Sequence, residues 1–428
     1  MTYQNTLELA KNLDLNDPLK QYRSSFLFPQ HDGNDVLYFC GNSLGLQPKS
    51  VRDHINMELD DWAKHGVEGH FQATNPWFSY HENFLEPLSK LVGAMSSEVG
   101  LMNSLTTNLH LLMVSFYRPT KERFKIICED DCFPSDSYVL ASQIKYHGYD
   151  PNDALIRLKP RVGEYCLRTE DIINEIKKHG NSLALVMMGG VNYYTGQVFD
   201  MKTIARVSHE TGAMCGFDLA HAVGNIGLEL HEWNVDFACW CTYKYLNSGP
   251  GGVSGYFVHD RHGNNPDLPR FVGWWGNDPA TRFKMGKEFV PAYGAGGWQL
   301  SNAPVLAMAA HKASLEIFEE AGLENLIIKS KNLTGYLEFI IETINQSLNK
   351  TQNSITVITP KEQSERGCQL SLIFEKNGRS IHHELTKNGI IADWREPNVI
   401  RLAPAPLYNT YEDVYRFGEI LSSIIVGS

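Results

Sequence analysis

The sequence predicts an α/β protein: a large domain with a mostly parallel central sheet flanked by helices, plus a smaller C-terminal α+β domain. Two observations carry the large domain. From about residue 88 to 260, helical segments alternate with short apolar runs at 126–128, 183–188, 214–217, 237–241 and 253–258. Runs this short and apolar read as buried strands, and their alternation with helices implies a parallel sheet covered on both faces. The third observation is a change of style beyond about residue 325. There Leu370, Leu372 and Phe374 alternate as a half-buried strand, a short helix ends at Gly389, and two more strands follow at 390–392 and 400–403.

Taken in order, residues 1–60 read as a helical lead-in broken by the turn-rich loop Cys40-Gly-Asn-Ser-Leu-Gly45. Asn103-Ser-Leu-Thr106-Thr107-Asn108 offers several helix caps ahead of the apolar segment 109–117. The strand at 124–128 leads into Phe133-Pro-Ser-Asp136, a loop after a strand end. Pro304 lies in the first turn of a helix that continues through Leu306, Ala309, Ala313 and Phe318 to a stop at Gly322. Thr410-x-x-Asp413 is a capping box that opens the last helix. The expected division is an N-terminal segment (1–60) packing with the small domain, a large domain (61–325) and a small C-terminal domain (326–428).

Composition narrows the function before any motif is read. A chain of 428 residues suits two domains, and 43% hydrophobic with 20% charged residues is an ordinary globular balance. A net charge of −11 without a basic patch argues against nucleic acid as a main partner. The eight cysteines include no C-x-x-C pair and mostly lie in apolar runs, as buried free thiols do. Cys239 and Cys241 share one face of a strand, which reads as core packing rather than a metal site. No apolar run reaches the roughly 18 residues of a membrane span. The polar, mixed-charge N-terminus is no signal or transit peptide, so no membrane is involved and the cytoplasm is the expected compartment.

The most informative chemistry is Phe217-Asp218-Leu-Ala-His221, followed by Trp240-Cys-Thr-Tyr243-Lys244. An acid and a lysine leaving the C-terminal edges of neighbouring buried strands converge on the crevice where open α/β sheets bind ligands. Pyridoxal phosphate needs that pair: a lysine amine for covalent attachment and a carboxylate against the pyridinium nitrogen. Alone, Asp218 reads equally well as a helix cap and Lys244 as a surface lysine. The apolar run before Lys244 and the loop Asn247-Ser-Gly-Pro-Gly-Gly252 after it favour the site reading. The helix start near Thr106 is either a phosphate cradle or a plain capped terminus. Phe133 could lie on an aromatic ring or belong to a Pro-Ser turn. Trp274-Trp275 between two glycines is either core or a loop wall at a site or interface. Arg401, inside an apolar strand, needs an anion, which a substrate carboxylate or an internal ion pair would supply.

Longer motifs then accumulate: Tyr38-Phe-Cys-Gly-Asn-Ser-Leu-Gly-Leu-Gln-Pro48, Leu101-Met-Asn-Ser-Leu-Thr106, Phe133-Pro-Ser-Asp136 and Tyr194-Thr-Gly-Gln197. Gly216-Phe-Asp-Leu-Ala-His-Ala-Val-Gly-Asn225 and Asp236-Phe-Ala-Cys-Trp-Cys-Thr-Tyr-Lys-Tyr-Leu-Asn247 follow, then Arg366-Gly-Cys-Gln-Leu370 and Arg401-Leu-Ala-Pro-Ala-Pro-Leu-Tyr-Asn409. Spread over nearly the whole chain, the set resembles the kynureninases, fold-type-I pyridoxal-phosphate enzymes. The resemblance implies pyridoxal 5'-phosphate as cofactor. It also implies hydrolysis of L-kynurenine or 3-hydroxy-L-kynurenine to an anthranilate and L-alanine, a step of tryptophan catabolism.

The resemblance further implies that Lys244 attaches the cofactor and then takes the substrate's Cα proton. Asp218 would pair with the ring nitrogen, His221 would lie close to the ring and Phe133 would stack on it. Leu105, Thr106, Pro134, Ser135, Asp136, Tyr243, Trp274 and Asn302 would complete the cofactor and phosphate site, Tyr243 also serving as an acid. Arg401 would take the α-carboxylate of an amino-acid substrate. Ser43, His70, Ser301 and Asn302 would border its aryl end. In this family the site lies at a homodimer interface, so Trp274 and Asn302 would act on the partner's cofactor.

Two positions depart from the family pattern: Gly189 stands where a serine is common, and Asn277 where animal members carry a histidine. His70, Ser301 and Asn302 follow members that favour 3-hydroxykynurenine; Asn277 does not. An aminotransferase or a cysteine desulfurase would share the Asp and Lys, but a desulfurase needs an exposed cysteine. A catalytically silent scaffold would have lost some of Asp218, Lys244 and Thr106, and all three are present.

Overall fold

The computed structural model describes residues 3–263, 265–348 and 353–427. Its large sheet has seven strands, β1 (Val99–Leu101), β2 (Lys125–Glu129), β3 (Leu155–Leu158), β4 (Leu183–Gly189), β5 (Met214–Asp218), β6 (Phe237–Trp240) and β7 (Gly255–Val258). Their spatial order is β1-β7-β6-β5-β4-β2-β3. The pairs β3/β2, β2/β4, β4/β5 and β5/β6 are parallel, and only β7 runs against its neighbours. The fold is therefore α/β with a mainly parallel sheet.

The alternation of side chains along a strand explains the continuous apolar runs. Ile127, Val186, Met188, Phe217 and Trp240 enter one core. Their neighbours Ile126, Cys128, Leu185, Met187, Phe237 and Cys239 enter the core on the opposite face. With both faces covered, no polar phase survives in these strands.

β1 and β3 were not expected from the sequence. They are the two edge strands, and edges stay short and carry polar residues such as Arg157 in β3, which weakens the pattern. β6 ends at Trp240 instead of running on to 241. Thr242 Oγ1 donates to the Val253 carbonyl at 2.5 Å and meets Ser248 Oγ at 2.6 Å. That curl lifts residues 241–244 off the sheet, and for the same reason β7 begins only at Gly255.

Pro304 is the cap residue just before the helix Val305–Ala321 rather than part of its first turn. Gly322 closes that helix at φ +73°, where a side chain would be strained, and its N–H donates to the Phe318 carbonyl at 3.0 Å. The C-terminal region has a second sheet in which Leu370–Phe374 lies between Ile355–Val357 and Val399–Leu402. That central place buries the strand almost throughout, not on one face only as its alternation suggested. Ala10, Leu37 and Phe39 from the start of the chain share a core with Leu370, Leu402 and Phe417. The last helix, Tyr411–Gly427, has the reciprocal cap: Asp413 N–H donates to Thr410 Oγ1 at 3.0 Å and Thr410 N–H to Asp413 Oδ2 at 3.2 Å. No helix among the described residues is long and apolar enough to cross a membrane.

Candidate active site

The C-terminal ends of the parallel strands open on one cavity, as doubly wound sheets dictate. β2 contributes Glu129, β4 Gly189, β5 Asp218, and the curl after β6 brings Cys241, Tyr243 and Lys244. Leu105 and Thr106 enter from the start of one helix, Ser135 and Asp136 from another, with Phe133, Val191, Tyr193 and His221 from connecting loops.

Lys244 is only half-buried, and its Nζ lies 2.9 Å from His221 Nε2 and 5.8 Å from the centre of the Phe133 ring. Burial, helped by the Lys244 charge, holds the His221 imidazole far below its ordinary pKa, so the ring is neutral. Phe133 is half-exposed over the cavity and meets Tyr193 edge-on at 5.3 Å. Asp218 is buried, and its Oδ1 accepts the Ala220 N–H at 2.7 Å. Burial raises its pKa, while that N–H and the Lys244 charge work the other way. Asp136 shares a hydrogen bond with Asp218; burial and the Asp218 charge push its pKa well up, so Asp136 is the partner that holds the proton. Burial and the Cys241 thiol raise the Tyr243 phenol, which stays protonated at any working pH.

The helix Leu105–Phe116 starts at Ser104, which makes no side-chain cap, contrary to the several caps its sequence offers. The side chains turn elsewhere: Ser104 Oγ meets Thr107 Oγ1 at 3.1 Å and Thr106 Oγ1 meets Ser135 Oγ at 2.7 Å. Backbone donors at the helix start and a hydroxyl pair thus remain for an anion. His221 Nδ1, Asp136 Oδ1 and Glu129 Oε2 are buried without partners. A free amine, a buried carboxylate and an anion cradle around one cavity fit pyridoxal phosphate, whose aldehyde, ring nitrogen and phosphate need those three things.

A second cluster adjoins through Tyr193. The internal ion pair open to Arg401 exists: its guanidinium bonds Asp393 and donates to the Tyr193 carbonyl at 2.7 Å. Arg395 also meets Asp393 at 3.1 Å, and Ser43 Oγ donates to it at 2.6 Å. Ser43 therefore sits with Arg401 rather than apart from it. Two guanidinium groups around one carboxylate leave a net positive charge, with Arg401 Nε buried and unpaired.

Other expected residues do not line this cavity. Trp274 is 46% exposed and donates to the Arg282 carbonyl; Pro134, Ser301 and Asn302 are exposed. His70 Nδ1 sits 3.0 Å from the Val67 carbonyl, with its ring edge-on to Trp77. Asn277 spends its amide locally, donating to Thr281 Oγ1 at 3.3 Å and accepting the Val290 N–H at 2.8 Å. Sequence reasoning missed Glu129, Tyr193, Asp393 and Arg395. Glu129 carried the same signal as Asp218, an acid at the end of a buried apolar run. All eight cysteines are free thiols, seven buried and Cys166 half-buried, so none is the exposed cysteine a desulfurase uses.

Comparison with known proteins places this geometry. The fold alone is shared with solved structures of low sequence identity, among them the apo cysteine desulfurase of Thermococcus onnurineus NA1 (TM-score 0.75, 15% identity, 100% of each chain covered). Residues 326–421 match the family model described as the kynureninase C-terminal domain. Over 426 residues, covering 100% of both chains, the sequence is 57% identical to the kynureninase of Flavobacterium psychrophilum. It is 56% identical over 427 residues to that of Flavobacterium johnsoniae, again with 100% of both covered. With such identity along its entire length, and a lysine, an acid and an anion cradle meeting at one sheet edge, the chain belongs to the kynureninase family.

Proposed function

We propose that this site binds pyridoxal 5'-phosphate and hydrolyses L-kynurenine, or its 3-hydroxy form, to an anthranilate and L-alanine. One observation carries the reading: Lys244 and Asp218 face a single cavity beside a helix start that has no side-chain cap. The bound cofactor supplies the electron sink for negative charge at the substrate's Cα.

The protein's own groups do the rest. Asp218 is the carboxylate for the ring nitrogen, and Asp136 beside it holds the proton that keeps two acids from repelling each other. The helix start at Leu105 and Thr106, with Ser135, takes the phosphate. Lys244 Nζ would hold the cofactor covalently and is the base placed to move the Cα proton. Neutral His221, 2.9 Å away, accepts a hydrogen from that amine and fixes its direction. Arg401 and Arg395 receive the substrate's α-carboxylate. Water adds at the ketone Cγ, the Cβ–Cγ bond breaks, and Tyr243, protonated and at the cavity wall, is the acid for Cβ.

The same reading assigns a homodimer. It is supported by an exposed apolar stretch containing Phe271, Val272, Trp274, Phe283 and Met285. Trp274, Asn302, Ser301 and His70, which miss the cavity of their own chain, then serve the partner's. Eight free thiols support a reducing compartment, the cytoplasm. The reading keeps the division into residues 1–60, 61–325 and 326–428, with Ala10, Leu37 and Phe39 of the first segment in the core of the last and Leu19, Phe26 and Leu46 in that of the large domain.

The test is release of anthranilate fluorescence from kynurenine by the purified, cofactor-loaded protein, with kcat/KM measured for both kynurenines. Absence of both anthranilate and alanine overturns the reading. A clear preference for the unhydroxylated substrate removes His70 and Asn302 from the aryl end.

A further inference from the structure

Glu129 is an ionisable group of the cavity that the mechanism above leaves without a task. It closes β2 and is buried, at 4% exposure. Its Oε1 accepts the Gly189 N–H at 3.0 Å, while its Oε2 is buried with no partner. Gly189 stands beside Asp218 in the β4/β5 register. Three adjacent strand ends therefore align a carboxyl, the backbone amide that donates to it and the acid assigned to the ring nitrogen. A Cβ at 189 would come within 2.9 Å of Glu129 Oε1, so the carboxyl end of that side chain would have to shift.

The charged and titratable groups around Glu129 are Asp218 on β5, Asp136 on the helix Pro134–Tyr146, Asp131 and Cys132 on its own loop, Cys128 on its own strand, Arg157 of β3 beside Cys128 and Cys132, and Lys244 on the wall of the same cavity. Its side chain bonds the Gly189 N–H and not either cation. A buried carboxylate with one oxygen bare is poorly satisfied as an anion, whereas a neutral acid has an O–H to offer. Burial first, then Asp218 and Asp131, push its pKa up to about 7, against the pull of backbone N–H groups.

We propose that Glu129 is a positioning residue of the cofactor site: as a neutral acid it turns an O–H donor into the cavity beside Asp218. Ionised, it adds a second negative charge there and weakens the hold on the anionic cofactor. The proposal rests on the pyridoxal-phosphate reading.

The experiment measures the dissociation constant of pyridoxal phosphate for the apoprotein from pH 6 to 8.5, by tryptophan quenching and the visible band. Wild type, Glu129→Gln and Gly189→Ala are compared. Wild-type affinity is expected to fall by about tenfold as pH rises through ~7, the effect of one pKa unit of coupling. Glu129→Gln keeps the Gly189 bond and a permanent donor, so it should hold its low-pH affinity across the range. Gly189→Ala pushes the carboxyl off its N–H and should weaken binding already at pH 6, so the idea stays testable should Glu129→Gln fail to fold. The same pH response in wild type and Glu129→Gln overturns the proposal, as does a Gly189→Ala that binds like wild type at every pH. Failure of the wild type itself to form a visible band refutes the cofactor reading instead.

Discussion

Replacing Asp218 by asparagine removes a charge and almost nothing else. The asparagine Oδ1 can keep the Ala220 N–H, now 2.7 Å from Asp218 Oδ1, so the turn after β5 should hold. The amide cannot stabilise a protonated ring nitrogen as a carboxylate does. Loss of one preorganised electrostatic contact costs about 2.7–4 kcal/mol, or about 10²–10³ in rate. The structure places the expected loss at the lower end. Asp136 is held protonated by burial and then by the Asp218 charge; without that charge it ionises more readily and can take over part of the role. Asp218→Asn should therefore retain its cofactor, seen as the visible band, and turn over kynurenine about a hundredfold more slowly. Adding Asp136→Asn should remove the residual rescue and lower kcat further. Turnover within about threefold of wild type, with cofactor bound, would refute the role given to Asp218.

Lys244→Ala should abolish turnover, and borohydride treatment of wild type should label Lys244 alone; an adduct on a different lysine ends the assignment. Light scattering should show two chains at working concentration, and Trp274→Glu should weaken the dimer and activity together; a fully active monomer contradicts this. A further prediction concerns pH. Asp236 is 1% exposed and bonded by His209 at 2.8 Å, His262 at 2.7 Å, Arg261 at 2.5 Å and the Cys215 N–H at 2.7 Å. Burial would raise its pKa, but the two histidines and Arg261 outweigh burial and hold it below the carboxylate range. A depressed folded pKa means that the stabilisation is complete above the unfolded value of about 3.9 and is lost as pH falls below it. Asp236→Asn should cost about 3–5 kcal/mol at pH 7. The gap should narrow toward pH 3 in urea titrations, and an equal gap at both pH values would refute the assignment.

The interior strands were legible because burial on two faces leaves a continuous apolar run, and β2, β4, β5 and β6 stand within a residue or two of their expected places. The edges were not, since β1 is only three residues long and β3 is interrupted by the exposed Arg157. The capping box at Thr410 was readable because its two partners are three residues apart. The cap of the Leu105 helix was not: Thr106 turns to Ser135, a partner on another element, and no local signal announces that choice.

The site divides along the same line of locality. Asp218 and Lys244 could be paired from sequence because each ends a buried run, and neighbouring runs in a parallel sheet deliver their ends to one crevice. Glu129 obeyed the identical rule and was passed over, since a buried acid needs no cofactor to explain it until its neighbours are known. Arg401 could be seen to need an anion, yet Asp393 and Arg395 lie on a strand of mixed character that bears no mark of a site. Their meaning appears only when the antiparallel register sets Asp393 opposite Arg401, and the Tyr193 carbonyl then binds that cluster to the wall of the Lys244 cavity. Ser43 joins it from a loop some three hundred and fifty positions earlier in the chain, through a hydrogen bond to Asp393. The cluster proposed to receive the substrate's carboxylate is thus assembled from three remote segments, and its net positive charge is a property of the fold rather than of any one of them.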